Sequence, residues 1–458
     1  MRSGDEFKGS DFGDERLNRR LVKLSEQLAK APDLSFPRAA GSDASLEATY
    51  RFLNNDKVTP EAILSSHVAA TLERCAQSGP IFVVHDSTEF RFGGPREDLG
   101  RLSTDETHGF LGHFALAVSG RGRAPLGVLG FQTLTRKRGE RRGRHSERRP
   151  TQERESARWL ALVDQVESAG SLDAVHVMDR EADGYDILAG LVERGRRFVI
   201  RSQFDRVVVG EPEDVRLGEA LEHAPVVLER EVHLSARVKR KGDPPSKAAK
   251  HPRRAARTAH LLVSAAAIPL RRPDQTKTGL PDTLTIHVVR VRETGAPPGV
   301  EPVEWRLLTT EAIDSPEDVA AIVDAYRARW LIEEYFKALK TGCAYEQRQL
   351  ESMRALLNAL AVFAPIAWQL LALRQLSRTA DRTPATDLLA PLKLKILRAH
   401  KDTRHMPCTT VREAMLAIAR LGGHIKNNGD PGWIVLGRGF EDLLLLELGA
   451  TIAIENKM

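Results

Sequence analysis

The sequence predicts a mixed α/β protein: one sheet of parallel and antiparallel strands, a β-rich insertion, and helical domains at both ends. Three observations predict it. Two short apolar runs, "IFVVHD" (Ile81 to Asp86) and "DAVHVMD" (Asp173 to Asp179), read as buried strands that each end in an aspartate. Helices alternate with strands after a three-strand meander. Apolar residues at helical spacing dominate the first 75 and the last hundred or so residues.

The elements follow in order. Residues 1–75 read as a helical domain. "DERLNRRLVKLSEQLAKA" places Leu17, Leu21, Leu24 and Leu28 on one face, and "SLEATYRFLNN" starts at an N-cap, Ser45, and ends at Asn54/Asn55. Residues 76–205 hold the first strand, two more in "HFALAVSG" and "PLGVLGFQTL" around the turn "GRGRA", a helix in "QERESARWLALVDQVESA", the second aspartate strand, a helix in "GYDILAGLVERG" and a strand in "RRFVIR". Residues 206–303 break the alternation. "REVHLSARVKRK" and "TLTIHVVRVRE" alternate as strands of a separate antiparallel insertion. Residues 304–345 return to the core with the strand "EWRLLTTE" and one long helix, capped by Ser315 with Pro316 at its first position and closed by Gly342. Residues 346–458 are helical and apolar, with breaks at "RTADRTPATD" and "NNGDPG".

Composition narrows the function. Hydrophobic residues at 41% and charged residues at 28% fit a soluble globular chain. The net charge of +6 is concentrated in two runs, Arg136 to Arg149 and Arg237 to Arg257, which suits a polyanionic partner; each run taken alone also fits a solvated loop. Cys75, Cys343 and Cys408 are far apart and lack zinc-finger spacing, so neither a metal finger nor a disulfide framework is expected, and a reducing cytoplasm is the simplest setting. The N-terminus has no signal-peptide core. The longest apolar run, Ala355 to Leu373, is interrupted by Asn358, Pro365 and Gln369 and reads as a buried bundle helix, not a membrane span.

The chemistry is suggested by "YRARWLIEEYFKALK". Read as one uninterrupted helix, it places Tyr326, Arg329, Glu333 and Lys340 within about 60° of arc. Leu331, Ile332, Tyr335, Phe336, Ala338 and Leu339 fall opposite and would face the sheet. Glu333 would then open where Asp86 and Asp179 do. Three carboxylates without Cys or His suit Mg²⁺ or Mn²⁺. Two such ions about 3.5–4 Å apart support phosphodiester chemistry. Arg329, Lys337 and Lys340 would hold phosphates beside them. Taken singly, each acid is better explained by turn formation, capping or i, i+4 pairing than by catalysis. The combination is what points to a site.

These residues also carry a resemblance. "YRARWLIEEYFKALKTG" resembles the Tyr-(2)-Arg-(3)-Glu-(6)-Lys signature of bacterial insertion-sequence DDE transposases, of the type that cuts and pastes through a DNA hairpin. "VVHDSTEFRF", "VMDREADGYDIL", "RFVIRS", "WRLLTTE" and "AIARLGGH" fall in the matching order. The resemblance implies a ribonuclease-H-like fold with Asp86, Asp179 and Glu333 as catalytic, metal-binding acids for two Mg²⁺ ions, Mn²⁺ substituting. It implies DNA contacts by Tyr326, Arg329 and Lys340, with Lys337 and Trp330 at further matching positions of the helix and Arg201 near the hairpin. Trp305 matches the aromatic on which a flipped base stacks; its alternative is a core tryptophan at a strand edge. Arg180 would contact DNA or pair with Asp179. By resemblance the N-terminal domain recognises the element's terminal inverted repeats and the C-terminal helices dimerise in a synaptic complex on target DNA, in a bacterial cytoplasm at the nucleoid. Two alternatives stand: a metal-dependent nuclease of the same fold, and a domesticated or regulatory DNA-binding protein without catalysis.

Overall fold

A computed structural model of the chain describes residues 3–94, 99–102, 108–135, 155–170, 172–234, 236, 254–276, 279–379, 382–425 and 430–455. The basic run Arg136 to Arg149 lies outside the described residues, as does the second run up to residue 253. The chain forms two compact units. Unit 1 comprises Met1–Arg149, Ala161–Asp173 and Trp330–Met458; unit 2 comprises Pro150–Leu160 and Ala174–Arg329.

Unit 1 begins with a 3-10 turn, Ser3–Phe7, and helices α1 (Glu15–Lys30), α2 (Phe36–Ala40), α3 (Asp43–Leu53) and α4 (Pro60–Ala76). Leu21, Leu24 and Leu28 are buried on α1 as the spacing predicts. The cap of α3 is Ser42, not Ser45; the Ser42 hydroxyl accepts from the Ser45 amide, so Ser45 already stands inside the first turn. Strands β1 (Ile81–Phe92), β2 (Gly100–Arg101), β3 (His108–Ser119) and β4 (Pro125–Leu134) are antiparallel, with β3 paired to each of the others. Helix α5 (Ala157–Ala169) follows, of which residues 161–169 belong to this unit.

The first aspartate strand is twice as long as expected. β1 runs 12 residues, and Asp86 is its sixth, paired with Phe114. The apolar run stops where burial stops: Ile81 to His85 are buried and Asp86 to Glu89 are half-buried. Pairing continues to Phe92 because β3 extends beneath it to His108.

Unit 2 holds β5 (Ala174–Met178), helix α6 (Tyr185–Glu193), β6 (Arg197–Arg201), β7 (Val207–Val208), β8 (Val215–Arg216), helix α7 (Leu217–Glu222), β9 (Val226–Leu234), β10 (Arg257–Arg271), β11 (Thr283–Thr294) and β12 (Glu304–Thr309). β5 and β6 are parallel; β12 joins β6, β11 joins β12, and β10 joins β11, all antiparallel. The strands from 206–303 therefore do not form a separate sheet. They extend the core ladder through β12, because His287 to Arg292 of β11 pair with Glu304 to Thr309. Helix Pro316–Ala328 closes the unit behind the predicted Ser315 cap, which Asp318 completes into a capping box.

The chain re-enters unit 1 at Trp330. Helix Trp330–Lys337 and a π turn, Ala338–Gly342, lead to the long helix Met353–Thr379 and then to helices Pro391–Ala399, Val411–Leu421 and Trp433–Glu455. The long helix is apolar enough to cross a membrane, but 89% of its most apolar window is buried inside the protein. An aromatic chain fills the unit: Phe114 lies 5.2 Å from Phe131 and 5.7 Å from Tyr335, and Tyr345 lies 5.0 Å from Phe90 and 6.2 Å from Phe363. Gly112 makes room for it. A Cβ there would stand 2.7 Å from the Phe90 ring and 2.9 Å from that of Phe114.

Polar contacts tie the first residues in. Glu6 accepts from His67 Nδ1 and from both terminal nitrogens of Arg74, and His67 Nε2 accepts from the Val128 amide. Burial pushes the Glu6 carboxyl up, but His67 and Arg74 outweigh it and hold the carboxyl below its usual range. Ser3 donates to Gln369 and to the buried Glu441, whose carboxyl burial pushes up to about 7. Below pH 4.5, the ordinary value, both folded and unfolded states are protonated and nothing is lost. Stability then falls as pH rises to about 7, by about 3 kcal/mol at most. Glu441→Gln should abolish that fall and raise the melting temperature more at pH 8 than at pH 5. An equal change at both would disprove the assignment.

Candidate functional site

The predicted residues divide between the two units. Asp86, Trp330, Glu333, Lys337 and Lys340 lie in unit 1; Asp179, Arg180, Arg201, Trp305, Tyr326 and Arg329 lie in unit 2.

In unit 1, Asp86 and the Glu333 helix share one face of the β1–β3 ladder. Directly paired residues point to the same side of a sheet, so Asp86 and Phe114 face one way. The Phe114 ring meets Tyr335 at 5.7 Å and Phe336 at 5.6 Å. Leu331, Ile332, Tyr335, Phe336, Ala338 and Leu339 are all buried, as their spacing predicts. That leaves Glu333 half-buried at the margin. One oxygen of Asp86 accepts from the Ser87 amide at 2.7 Å, which fixes the carboxylate.

In unit 2, Asp179 follows β5 directly, as expected of a strand-final aspartate. Its Oδ1 accepts from the Glu181 amide at 2.9 Å and caps the turn Arg180–Ala182. Arg180 itself is exposed. The remaining acids of "DREAD" hold the loop. Glu181 pairs with the buried Arg158 at 2.7 Å. Asp183, 1% exposed, accepts from Ser202, the Gln203 and Phe204 amides, and the guanidinium of Arg206. These partners lie 19 to 23 residues apart, beyond the reach of any local pattern.

Trp305 is half-buried on β12, an interior strand and not an edge, with its ring edge-on to Tyr326 at 5.3 Å. Tyr326 is 7% exposed and not out on a surface stripe; its phenol hydrogen-bonds Arg201. Burial draws the Arg201 guanidinium below its usual range, Arg180 and Arg329 add to that, and Tyr326 opposes it.

The segment read as one continuous helix is not regular throughout. The regular count breaks at Arg329, whose amide donates to Tyr326 O three residues back, and again at the π turn Ala338–Gly342. Lys340 falls inside that turn. Its ammonium donates to the Glu89 carbonyl, pairs with Glu346 at 3.5 Å and lies over the Phe90 ring, and burial lowers its pKa. It ties the end of β1 to the helix. Lys337 is exposed, pairs with Glu334 at 3.0 Å and stands 5.6 Å from the ring of Trp330, itself 57% exposed.

Asp86, Asp179 and Glu333 are each half-buried, and a carboxylate offers hard oxygens suited to a divalent ion of the Mg²⁺ type. Among the described residues, no three His, Cys, Asp or Glu side chains form a ready-made cage.

Two family models match the chain. A transposase DNA-binding model covers residues 3–58, and a transposase DDE domain model covers residues 77–364, more than half of the 458 residues. The chain therefore belongs to the DDE transposase family. Among solved structures, the chain is similar to piggyBac transposase in a synaptic complex with hairpin DNA. The match has 12% identity and a TM-score of 0.30, and covers 82% of this chain. It spans 64% of the length of that transposase chain.

Proposed function

We propose that this protein cleaves DNA at the terminal inverted repeats of its element and joins the freed ends to target DNA, cut-and-paste, through a hairpin. The observation that carries the reading is the placement of Asp86 and the Glu333 helix on one face of the β1–β3 ladder, in a chain of the DDE family. Asp86, Glu333 and Asp179 of unit 2 would be the three acids. Mg²⁺, or Mn²⁺ in its place, bound as two ions would supply activation of the attacking oxygen and neutralisation of the leaving one.

The chain's own residues orient the strands. Arg201, Arg180 and Arg329 would hold phosphates, and Trp330 with Lys337 offers an exposed ring and cation to the duplex. A water nicks one strand. The freed 3′ hydroxyl attacks the opposite strand and closes a hairpin, a second water opens it, and the 3′ end attacks target DNA. Each step exchanges one phosphodiester oxygen for another. Trp305 would take an extruded base and relieve the hairpin's strain. Residues 1–75 would read the repeat, and 346–458 would pair two copies, in the bacterial cytoplasm at the nucleoid.

The test is Mg²⁺-dependent cleavage of a labelled duplex carrying the terminal repeat. A hairpin product supports the full reading. Nicks without a hairpin indicate a nuclease, and binding without cleavage indicates a regulator. Trp305→Ala should retain nicking and lose hairpin by about 5- to 150-fold, the worth of one stacked base. Equal loss of nicks and hairpins would make Trp305 a core residue.

A further inference from the structure

The segment that follows the Glu333 helix reaches back across about three hundred residues to the family's DNA-binding segment. Arg348 is 3% exposed, and its guanidinium donates to the carbonyls of Pro32, Leu34 and Cys343. It lies over the rings of Phe36, at 5.4 Å, and Phe363, at 4.5 Å. Ser352 donates to Asn54 at 2.7 Å, and Arg354 pairs with Asp56. Asn358, fully buried, donates to the carbonyls of Leu53 at 2.9 Å and Val58 at 3.0 Å. Four side chains within eleven residues thus grip two separate loops, 32–34 and 53–58, of the segment matched at 3–58. Most of the acceptors are backbone carbonyls, so the grip fixes chain position whatever the side chains there.

We propose that residues 343–358 are a dock that holds the DNA-binding segment in fixed relation to the Glu333 helix, and so sets where the cut falls relative to the bound repeat. The proposal rests on the DNA-cleaving reading above. Its scale follows from DNA geometry. Neighbouring phosphates along a strand are separated by about 3.4 Å of helix axis. One residue of slack in an extended chain spans about as much. A recognition segment loosened by a single residue's length would therefore offer the neighbouring phosphate to the acids. Arg348 is in this sense a positioning residue.

The experiment compares wild type, Arg348→Lys, Arg348→Met and the surface pair Ser352→Ala/Arg354→Ala on the labelled terminal-repeat duplex. Gel shift reads binding, and single-nucleotide resolution reads the nicked phosphate. Binding should stay within about threefold. Nicks should spread to neighbouring phosphates in Arg348→Met and the surface pair, and the rate at the wild-type phosphate should fall about 10- to 100-fold. Arg348→Lys should recover part of the wild-type position. Unchanged position and rate in the variants would overturn the dock while leaving the proposed function standing. A wild type that binds and never nicks would overturn both. If Arg348→Met fails to fold, the surface pair decides alone.

Discussion

Glu333→Gln protein should bind the terminal-repeat duplex as wild type does and cleave it at least about 10³-fold more slowly. The substitution keeps the volume and hydrogen-bonding shape of a half-buried side chain and removes only its charge. The packing of its helix rests on Tyr335 and Phe336 against Phe114, which the change does not touch. A loss of several kcal/mol in the transition state, at about 1.4 kcal/mol per tenfold, gives that magnitude. Asp86→Asn and Asp179→Asn should behave alike, one from each compact unit. Cleavage by any of the three within tenfold of wild type would remove that acid from the proposed mechanism. Lys340→Ala should differ in kind. Its ammonium is committed to Glu89 and Glu346, so its loss should lower the melting temperature as well as the rate.

Asp183→Ala should destabilise unit 2 by about 3–5 kcal/mol, because it leaves the Arg206 guanidinium buried without its carboxylate. Arg206 is 7% exposed and bonds Asp183 Oδ1 through two nitrogens, at 3.1 and 2.6 Å. The same carboxylate holds the Gln203 and Phe204 amides, so the loop that follows Arg201 loses its anchor too. Denaturant unfolding followed on the variant would show the midpoint shift. A shift under about 1 kcal/mol would mean that water reaches Arg206 once the loop relaxes. Glu181→Ala, whose side chain is 59% exposed, should cost far less.

Much of this was legible beforehand. The apolar runs at Ile81 and Ala174, the Ser315 cap and the buried face of the Glu333 helix all depend on local pattern, and local pattern is what a sequence displays. Hydrophobicity ends at Asp86, so local pattern predicts the strand's end there. The strand continues because β3 continues, a long-range cause with no local trace. β10 has no local signature: "RTAHLLVSAAAIPLR" has neither alternation nor β-branched richness, and it is a strand because β9 and β11 flank it. The signature residues were visible as a set, but not their arrangement. Counting 100° per residue assumes a regular helix, and the turn at Arg329 and the π turn are set by surroundings the count does not contain. The burial of Tyr326 and the tether of Lys340 were hidden for the same reason: their partners, Trp305 and Glu89, are distant in sequence.

The dock on residues 343–358 also fixes an order in time. A ribosome makes the DNA-binding segment first and the dock about three hundred residues later, which at about 5–20 residues per second is a delay of about 15–60 s. Through that interval the nascent chain carries loops 32–34 and 53–58 without the side chains that grip them. The ring partners of Phe90 and Phe114 on Tyr345 and Tyr335 are missing as well. Unit 1 closes only when Trp330–Met458 emerges, so the proposed dock would form late in the synthesis of each molecule.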